Sequence, residues 1–162
     1  MTNLQKAIFY VEKQIEHCSA YIWSGQGELL RKLSVIDLVK METSATNAQR
    51  VIKFIWNNLD RIDDKAKAFD CSGLVIKALI YASILPEGYD NTADGLLHKF
   101  TRIDIKQRQA GDLCYKLDKS GKAVHVALCI NCREVIEAKG RDDGVVRSVI
   151  DNSWSACNRP LY

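Results

Sequence analysis

Residues 69–85 read FDCSGLVIKALIYASIL, a short polar turn followed at once by a long apolar run. Lys77 is the one charged residue in that run, so its apolar side chains lie nearly all around a helical wheel. This pattern predicts a helix buried on most of its faces, which the Pro-Glu-Gly sequence at 86–88 ends. Cys71 then stands where the buried helix begins. The helix dipole and the unpaired backbone N–H groups there favour the thiolate, the nucleophilic form of cysteine.

The residues before this turn have mainly helical periodicity. Apolar residues three and four positions apart predict a helix over Leu4–Cys18 and further helices within residues 28–67, with Thr46 or Asn47 as the N-cap of the last one. Residues 21–27 contain two glycines and two aromatic residues, and we predict a loop there. The N-terminal half is therefore expected to supply helices.

The second half of the chain changes to the alternating pattern of β-strands. Alternation predicts strands over Leu113–Leu117, Val124–Ile130, Glu134–Ala138 and Gly144–Ile150, joined by short turns. Helices followed by a meander of antiparallel strands predict an α+β fold rather than a parallel α/β fold. The 162 residues contain no repeat and no Pro/Gly-rich linker, so we expect one domain over residues 1–162.

Two polar side chains on the predicted strands are candidate partners for the thiol. His125, Ala127 and Cys129 share one strand face, while the residues between them face the core. Glu137 lies on the next strand, and a three-residue turn at Ile130–Cys132 would set it directly opposite His125, with the two Cβ atoms about 5 Å apart. Its carboxylate could then accept the imidazole N–H and stabilise the imidazolium.

Each of these residues also has a purely structural interpretation. Cys71 could be a small buried hydrophobe, His125 a hydrogen-bonded structural histidine and Glu137 an exposed strand carboxylate. The other histidines are weaker candidates, because His17 lies among charged residues of the first helix and His98 lies in a polar segment. The combination of the three residues, rather than any one, favours catalysis.

Composition limits the classes of partner that the chain is expected to bind and the compartment in which it is expected to be made. The net charge is +3 and no block of five or six Lys or Arg occurs, which argues against nucleic acid as a partner. The apolar stretch Ala7–Val11 is too short for a secretory signal, and Leu74–Leu85 is too short to span a bilayer. We therefore expect a soluble chain with no membrane span, made in the cytoplasm without a signal peptide.

The six cysteines are expected to be reduced thiols rather than a disulfide framework. The chain is long enough for an ordinary hydrophobic core and shows no export signal. Cys129 and Cys132 have CxxC spacing, but zinc takes about four ligands and no second pair supplies the rest. No metal and no cofactor is predicted.

Several segments together resemble the NlpC-type papain-like cysteine peptidases, which cleave peptidoglycan stem peptides. The matching segments are the nucleophile motif Phe69–Val75, the upstream loop Tyr21–Gly25, the strand start Ala110–Tyr115, the histidine strand Val124–Ile130 and the following strand Val135–Ala138. They occur in the family's order and with its twelve-residue spacing between the last two polar positions. The resemblance spans residues 7 to about 150.

The resemblance implies a papain-like fold, with N-terminal helices on a small antiparallel sheet and the nucleophile at the start of a central helix. It implies Cys71 as nucleophile, His125 as base and Glu137 as the residue that orients the base. The reaction would be thiol endopeptidase cleavage through an acyl-enzyme, usually after γ-linked D-glutamate in the stem peptide. The expected partner is the peptidoglycan stem peptide.

The resemblance also implies three substrate-binding residues. Tyr21 would lie beside the cleft and assist the oxyanion or the substrate, while Asp70 and Ser72 would help to hold the peptide. Structural alternatives stay open, with Tyr21 as a core aromatic residue, Asp70 as a helix cap and Ser72 as a filler of the first turn.

The sequence departs from the family in three places. Glu137 stands where the family more often has histidine, and Gln26 replaces the second glycine of the upstream loop. The helical insert at about 28–67 is longer than the usual connection. It could cover the cleft as a lid or bind a partner, or it could be a surface elaboration.

The leading functional hypothesis is a cell-wall hydrolase. It would be a lytic enzyme of phage or mobile-element type, an endolysin, or a wall-remodelling enzyme, acting on the bacterial wall after release or delivery. One alternative is a cytoplasmic peptidase that trims recycled wall peptides. Another is a non-catalytic module that binds wall peptides or a partner through the insert. Acyl transfer on the same fold is a further alternative, since the nucleophile and base would be shared.

Overall fold

The computed structural model describes residues Met1–Tyr162 and contains five helices and nine strands. The helices are α1 Asn3–Glu16, α2 Val35–Glu42, α3 Ala45–Asn57, α4 Cys71–Tyr81 and α5 Ala93–Lys99. The strands are β1 Ala20–Tyr21, β2 Gln26–Leu29, β3 Lys67–Phe69, β4 Thr101–Ile103, β5 Leu113–Leu117, β6 Ala123–Cys129, β7 Glu134–Gly140, β8 Gly144–Val149 and β9 Ala156–Arg159. Short 3₁₀ turns occur at Leu30–Lys32 and Ile105–Gln107.

The strands form two sheets. The larger sheet has six antiparallel strands in the order β4-β9-β5-β6-β7-β8. The smaller sheet has the order β1-β3-β2, with β1 parallel to β3 and β2 antiparallel to it. Helices on a largely antiparallel sheet make up the α+β fold that the sequence predicts.

Helix α4 lies at the centre of the molecule, against α1, β2, β6 and β7. Leu74, Ile76 and Leu79 of this helix have no exposed surface and belong to the largest apolar cluster. Fully burying a side chain of this kind contributes about 1.5–3 kcal/mol, so α4 is held firmly against the sheet. The residue at its N-terminus is fixed in consequence.

The helical insert has a small core of its own. Residues of α2 and α3, among them Leu38, Val51 and Phe54, pack against Ala20 and Ile22 at β1. Both helices are capped by serines, since Ser34 accepts the N–H of Asp37 and Ser44 accepts that of Asn47. The N-cap predicted at Thr46 or Asn47 is wrong, because Ser44 takes that position two residues earlier.

A third apolar cluster lies on the face of the large sheet opposite α4. Alternation along β5 and β6 turns Leu113 and Leu128 towards the main core, and Cys114 and Cys129 towards this cluster. Trp154, in the irregular segment before β9, packs in the same cluster. The large sheet is therefore covered on both faces.

Several boundaries differ from the sequence-based expectations. The loop expected at 21–27 contains the end of β1 and the start of β2, and the helices of the insert occupy only part of residues 28–67. Strands β4 and β9 and helix α5 were not predicted at all. Strand β9 pairs between β4 and β5, far from its neighbours in sequence. No helix combines the length and apolar character required to cross a membrane.

Candidate active site

Cys71 is the first residue of α4, and it is partly exposed at the edge of a groove of about 620 Å³. The helix begins there because Asp70 is its N-cap, with Oδ1 accepting the Gly73 N–H at 2.7 Å. The Leu74 N–H donates to the Asp70 carbonyl oxygen at 3.1 Å. The Cys71 N–H has no partner within the chain, so it is free to donate to a group in the groove.

The upstream loop is held against this first turn by close backbone contact. Gly25 accepts the Asp70 N–H at 3.0 Å, and a Cβ added to Gly73 would lie only 2.1 Å from that same carbonyl oxygen. A Cβ on Gly25 would lie 2.8 Å from the backbone of Ala68 and Phe69. A substrate backbone therefore cannot approach Gly73 from this side, because the loop itself fills that space.

His125 and Glu137 form a hydrogen-bonded pair. The ring Nε2 of His125 lies 2.5 Å from Oε2 of Glu137, and the two side chains are 15% and 2% exposed. The Cys71 thiol is close enough to the His125 ring to act on its pKa. Since Nε2 is engaged by the carboxylate, Nδ1 is the nitrogen left for the thiol. The three residues proposed from the sequence are thus brought together.

The register between the two strands differs from the expected one. Leu128 pairs with Ile136 and Cys129 with Val135, so Glu137 is displaced by two residues from direct opposition to His125. The turn has three residues as predicted but lies one residue later, at 131–133, because the Ile130 N–H donates to the Glu134 carbonyl oxygen. The displacement is even, so both side chains still share a face and meet diagonally, which is within reach of two long side chains.

The pair holds the imidazole in its charged form. Burial acts to lower the pKa of His125, but interaction with Cys71 and the hydrogen bond that the ring donates to the Glu137 carboxylate outweigh it and raise that pKa to about 9. For Glu137, burial acts to raise the pKa, while hydrogen bonds from His125 and Ser148 outweigh it and lower the pKa below its usual range. The two groups therefore form an imidazolium–carboxylate pair at neutral pH.

Tyr21 lies on β1, close to the thiol but almost fully buried. Burial, followed by the neighbouring charge of Cys71, raises the pKa of Tyr21 to about 12, so the phenol stays neutral and can donate a hydrogen bond. The guanidinium of Arg141 lies 5.3 Å from the centre of the Tyr21 ring. Tyr21 does not line the groove, and its role in substrate binding stays a prediction.

A buried ion pair behind Tyr21 was missed by the sequence reasoning. Glu42, the last residue of α2, accepts the Arg141 Nε–H at 2.6 Å and the backbone N–H of Trp23 at 2.8 Å. The Glu42 side chain is fully buried. One carboxylate therefore joins the helical insert, the upstream loop and the segment after β7. No local pattern could have found it, because its partner is 99 residues away in sequence.

Asp70 and Ser72 serve the helix cap as well as bordering the groove. The Ser72 hydroxyl donates to Oδ1 of Asp70 at 3.0 Å, and burial, partly offset by the hydrogen bonds from Gly73 and Ser72, raises the pKa of Asp70. Both residues line the groove next to Cys71. The structural interpretation of Asp70 as a cap is correct, whereas contact of either residue with a substrate stays a prediction.

The rest of the groove was not anticipated from sequence. Its walls come from the upstream loop, the segment before α5 and the start of β6, with Trp23, Asp90, Asp94, Lys122 and Val124 among the lining residues. Asp94 is partly engaged, since it accepts the Ala123 N–H at 2.8 Å. Three aspartates and one lysine line the groove, which gives it a net acidic character.

Trp154 closes the far side of the histidine. Its ring lies 5.7 Å from the His125 ring, and Lys116 stands 4.6 Å from the indole. The tryptophan lies in an irregular segment with no motif around it, so the sequence held no signal for this contact. His17, by contrast, pairs with Asp63, and His98 is exposed on α5.

One set of three metal-ligating side chains occurs in the chain, and it is separate from the groove. It consists of Cys114, Cys129 and Cys157, all buried in the third apolar cluster. The CxxC partner Cys132 is exposed and lies outside this set.

A sequence model of the NlpC/P60 family matches residues 53–158, about two-thirds of the chain. The matched part includes all three proposed catalytic residues, whereas Tyr21 lies before it. None of the curated proteins compared with the chain matches it.

Solved structures with the same fold cover nearly the whole chain. The P60 domain of antigen MAP1204 from Mycobacterium avium subspecies paratuberculosis has a TM-score of 0.64 at 17% identity, covering 99% of this chain and 96% of that one. RipD from Mycobacterium tuberculosis, described as a non-catalytic NlpC/p60 domain protein adapted to peptidoglycan binding, has a TM-score of 0.65 at 16% identity, with 99% of both chains covered. The peptidoglycan hydrolase RipB from the same organism has a TM-score of 0.62 at 17% identity, covering 99% of this chain and 68% of that one.

Proposed function

The chain belongs to the NlpC/P60 family, and on that basis we propose that it is a cysteine endopeptidase that cleaves amide bonds in peptidoglycan stem peptides. The observation that carries the proposal is the triad-like grouping in which the thiol at the start of α4 meets an imidazole paired with a buried carboxylate. Nucleophile, base and orienting group in this arrangement are the requirements of thiol acyl transfer.

The proposed reaction follows from the position of each group. The Cys71 thiolate attacks the amide carbonyl carbon, and the resulting oxyanion is stabilised by the free Cys71 N–H. The His125 imidazolium gives its proton to the leaving amine, the C–N bond breaks and an acyl-enzyme remains. Neutral His125 then takes a proton from water as the water attacks the thioester, and the thiolate leaves. Glu137 keeps the ring oriented throughout.

The groove favours a peptide that carries a positive charge near the cleaved bond. Asp70, Asp90 and Asp94 line it next to the thiol, with Lys122 as the one basic residue. A diamino acid that follows γ-linked D-glutamate has a second amino group that these carboxylates could bind. We propose cleavage of the γ-D-glutamyl–diamino acid bond on this basis.

Cleavage of defined wall material tests the proposal. Purified sacculi and short soluble muropeptides are incubated with the protein, and new amino termini are identified by mass spectrometry. We expect a new amino group on the diamino acid, lost in Cys71→Ala and His125→Ala but retained in Cys132→Ala, whose exposed thiol lies outside the groove. No new terminus with either substrate would contradict the proposal.

The same experiment separates the two enzymatic versions. Cleavage of intact sacculi supports a lytic or remodelling enzyme of endolysin type, which is made in the cytoplasm and acts on the wall after release or delivery. Cleavage of short peptides alone supports a peptidase that trims recycled wall material.

A second candidate is a non-catalytic module that binds peptidoglycan. It is favoured by the similarity to RipD, which is described as non-catalytic. The complete set of thiol, imidazole and carboxylate favours the enzyme. Co-sedimentation with sacculi without release of any new amino terminus would support the binding module instead.

A further inference from the structure

Three cysteine thiols meet on the face of the large sheet that is turned away from α4. Cys114 on β5 lies 3.1 Å from the sulfur of Cys129 at the end of β6 and 3.4 Å from that of Cys157 on β9. All three sulfur atoms lie within 4.8 Å of one another, and all three residues have no exposed surface. Three adjacent strands thus each contribute one thiol to a single point.

The spacing suits one shared ion. A metal–sulfur bond of about 2.3 Å in a trigonal site separates the sulfur atoms by about 4 Å, close to the size of this group. A disulfide would use only two of the thiols, whereas Cys114 has two neighbours at nearly equal distances. Thiolates are also the ligands that soft d10 ions prefer over water or carboxylate oxygen.

The surroundings provide a compensating charge. The guanidinium of Arg108 is close enough to Cys114 for its positive charge to act on that thiol. The Nε of Arg108 is buried and has no hydrogen-bond partner. A cation with an unused donor beside three buried thiols fits a site that becomes anionic, because three thiolates and a divalent ion carry one net negative charge.

We propose that Cys114, Cys129 and Cys157 bind one thiophilic d10 metal ion, of the class that includes Cu⁺, Zn²⁺ and Cd²⁺. Binding releases thiol protons, and the bound ion cross-links β5, β6 and β9 on the face that also carries His125. The site is structural, and it is independent of the proposed peptidase activity.

Titration of the reduced protein with Cd²⁺ tests the site. All samples carry Cys71→Ala, so that the thiol in the groove cannot bind the metal. We expect one Cd²⁺ per chain, seen as the ultraviolet thiolate-to-cadmium charge-transfer band, and a higher melting temperature in its presence. Cys114→Ala or Cys157→Ala should weaken binding by at least about 100-fold, since losing even a residue outside the ligand shell costs 10–100-fold.

Cys132→Ala is the matched control, because it removes the other half of the CxxC pair and leaves the three buried thiols. It should bind Cd²⁺ as the parent does. Circular dichroism establishes that each variant is folded, and two independent ligand variants guard against a single folding failure. The absence of a charge-transfer band in folded, fully reduced parent protein would overturn the proposal. Unchanged binding in both ligand variants, or a disulfide within the group that persists under reductant, would do the same.

Discussion

Two neighbours of His125, Cys71 and Glu137, oppose the effect of burial on its pKa and so set the charge of its imidazole. Burial alone would make His125 lose its proton more easily, yet interaction with Cys71 and the hydrogen bond donated to Glu137 raise its pKa to about 9. The carboxylate is itself fixed by Ser148 and is almost fully buried.

The pH dependence of cleavage follows from this balance. The leaving amine needs a proton from the imidazolium, which exists below the pKa of His125, so kcat/KM should fall as pH rises through about 9. Glu137→Gln removes a negative charge that favours the imidazolium. Its alkaline limb should therefore move to lower pH, with a rate loss of roughly 100-fold.

The measurement is kcat/KM on a soluble stem peptide across pH, for parent and variant. Glu134→Gln is the control, because Glu134 lies on the same strand but is not a partner of His125. An alkaline limb that stays in place in Glu137→Gln would show that the carboxylate does not set the charge of the ring.

At the scale of elements, the start of α4 depends on the loop that packs against it. The Gly25 carbonyl sits where any side chain at Gly73 would begin. Gly73→Ala gains some helix propensity but forces the two backbones apart, and we expect a net loss of about 2–3 kcal/mol in the free energy of unfolding. Gly140→Ala is the control, since its Cβ would meet nothing closer than 3.7 Å. Denaturant unfolding of both variants measures the difference, and equal stabilities would contradict the packing described.

The buried ion pair that joins three segments makes a second prediction at this scale. Glu42→Ala leaves the Arg141 guanidinium and the Trp23 N–H without their partner, and such a loss typically costs about 3–5 kcal/mol. Arg50→Ala breaks an exposed pair with Asp142 and should leave stability unchanged within error. Urea unfolding compares the two. A Glu42→Ala protein as stable as the parent would show that the ion pair does not stabilise the fold.

The sequence predicts best those elements in which apolar residues repeat at a clear helix or strand spacing. The buried helix after Cys71 and strands β5 to β8 follow from apolar spacing alone. The short strands β1, β3 and β4 have two or three residues each, too few for any period, and their pairing partners are distant in sequence. Alternation along the strands correctly placed His125 and Glu137 on one face, but the position of the turn, and with it the register, required tertiary information.

At the scale of the whole molecule, long-range contacts complete the groove and the insert. Trp23, Asp90 and Lys122 meet only because three separate segments converge. The CxxC spacing makes Cys132 the cysteine nearest to Cys129 along the chain, whereas the sheet topology brings Cys129 to Cys114 and Cys157. Sequence spacing reports neighbours along the chain, and strand order decides neighbours across the sheet.

Two exposed tryptophans allow the contribution of the groove to substrate binding to be distinguished from that of the insert. Trp23 lines the groove and is 53% exposed, while Trp56 on α3 is 70% exposed and lies outside the groove. We expect Trp23→Ala to raise KM by roughly tenfold with little change in kcat, because it removes apolar contact made before and during the reaction. Trp56→Ala should leave kinetics on short peptides unchanged. Steady-state kinetics with a soluble stem peptide measure both, and the reverse ranking would assign substrate contact to the insert.

The central claim is that the sulfur of Cys71 becomes covalently bonded to the substrate. Acid quenching during turnover of a γ-D-glutamyl–diamino acid peptide, followed by peptide mapping, measures this directly. We predict a thioester adduct on Cys71 with the mass of the D-glutamyl side of the substrate, and none on the other five cysteines. Turnover that continues in Cys71→Ala, or an adduct located on a different residue, would contradict it.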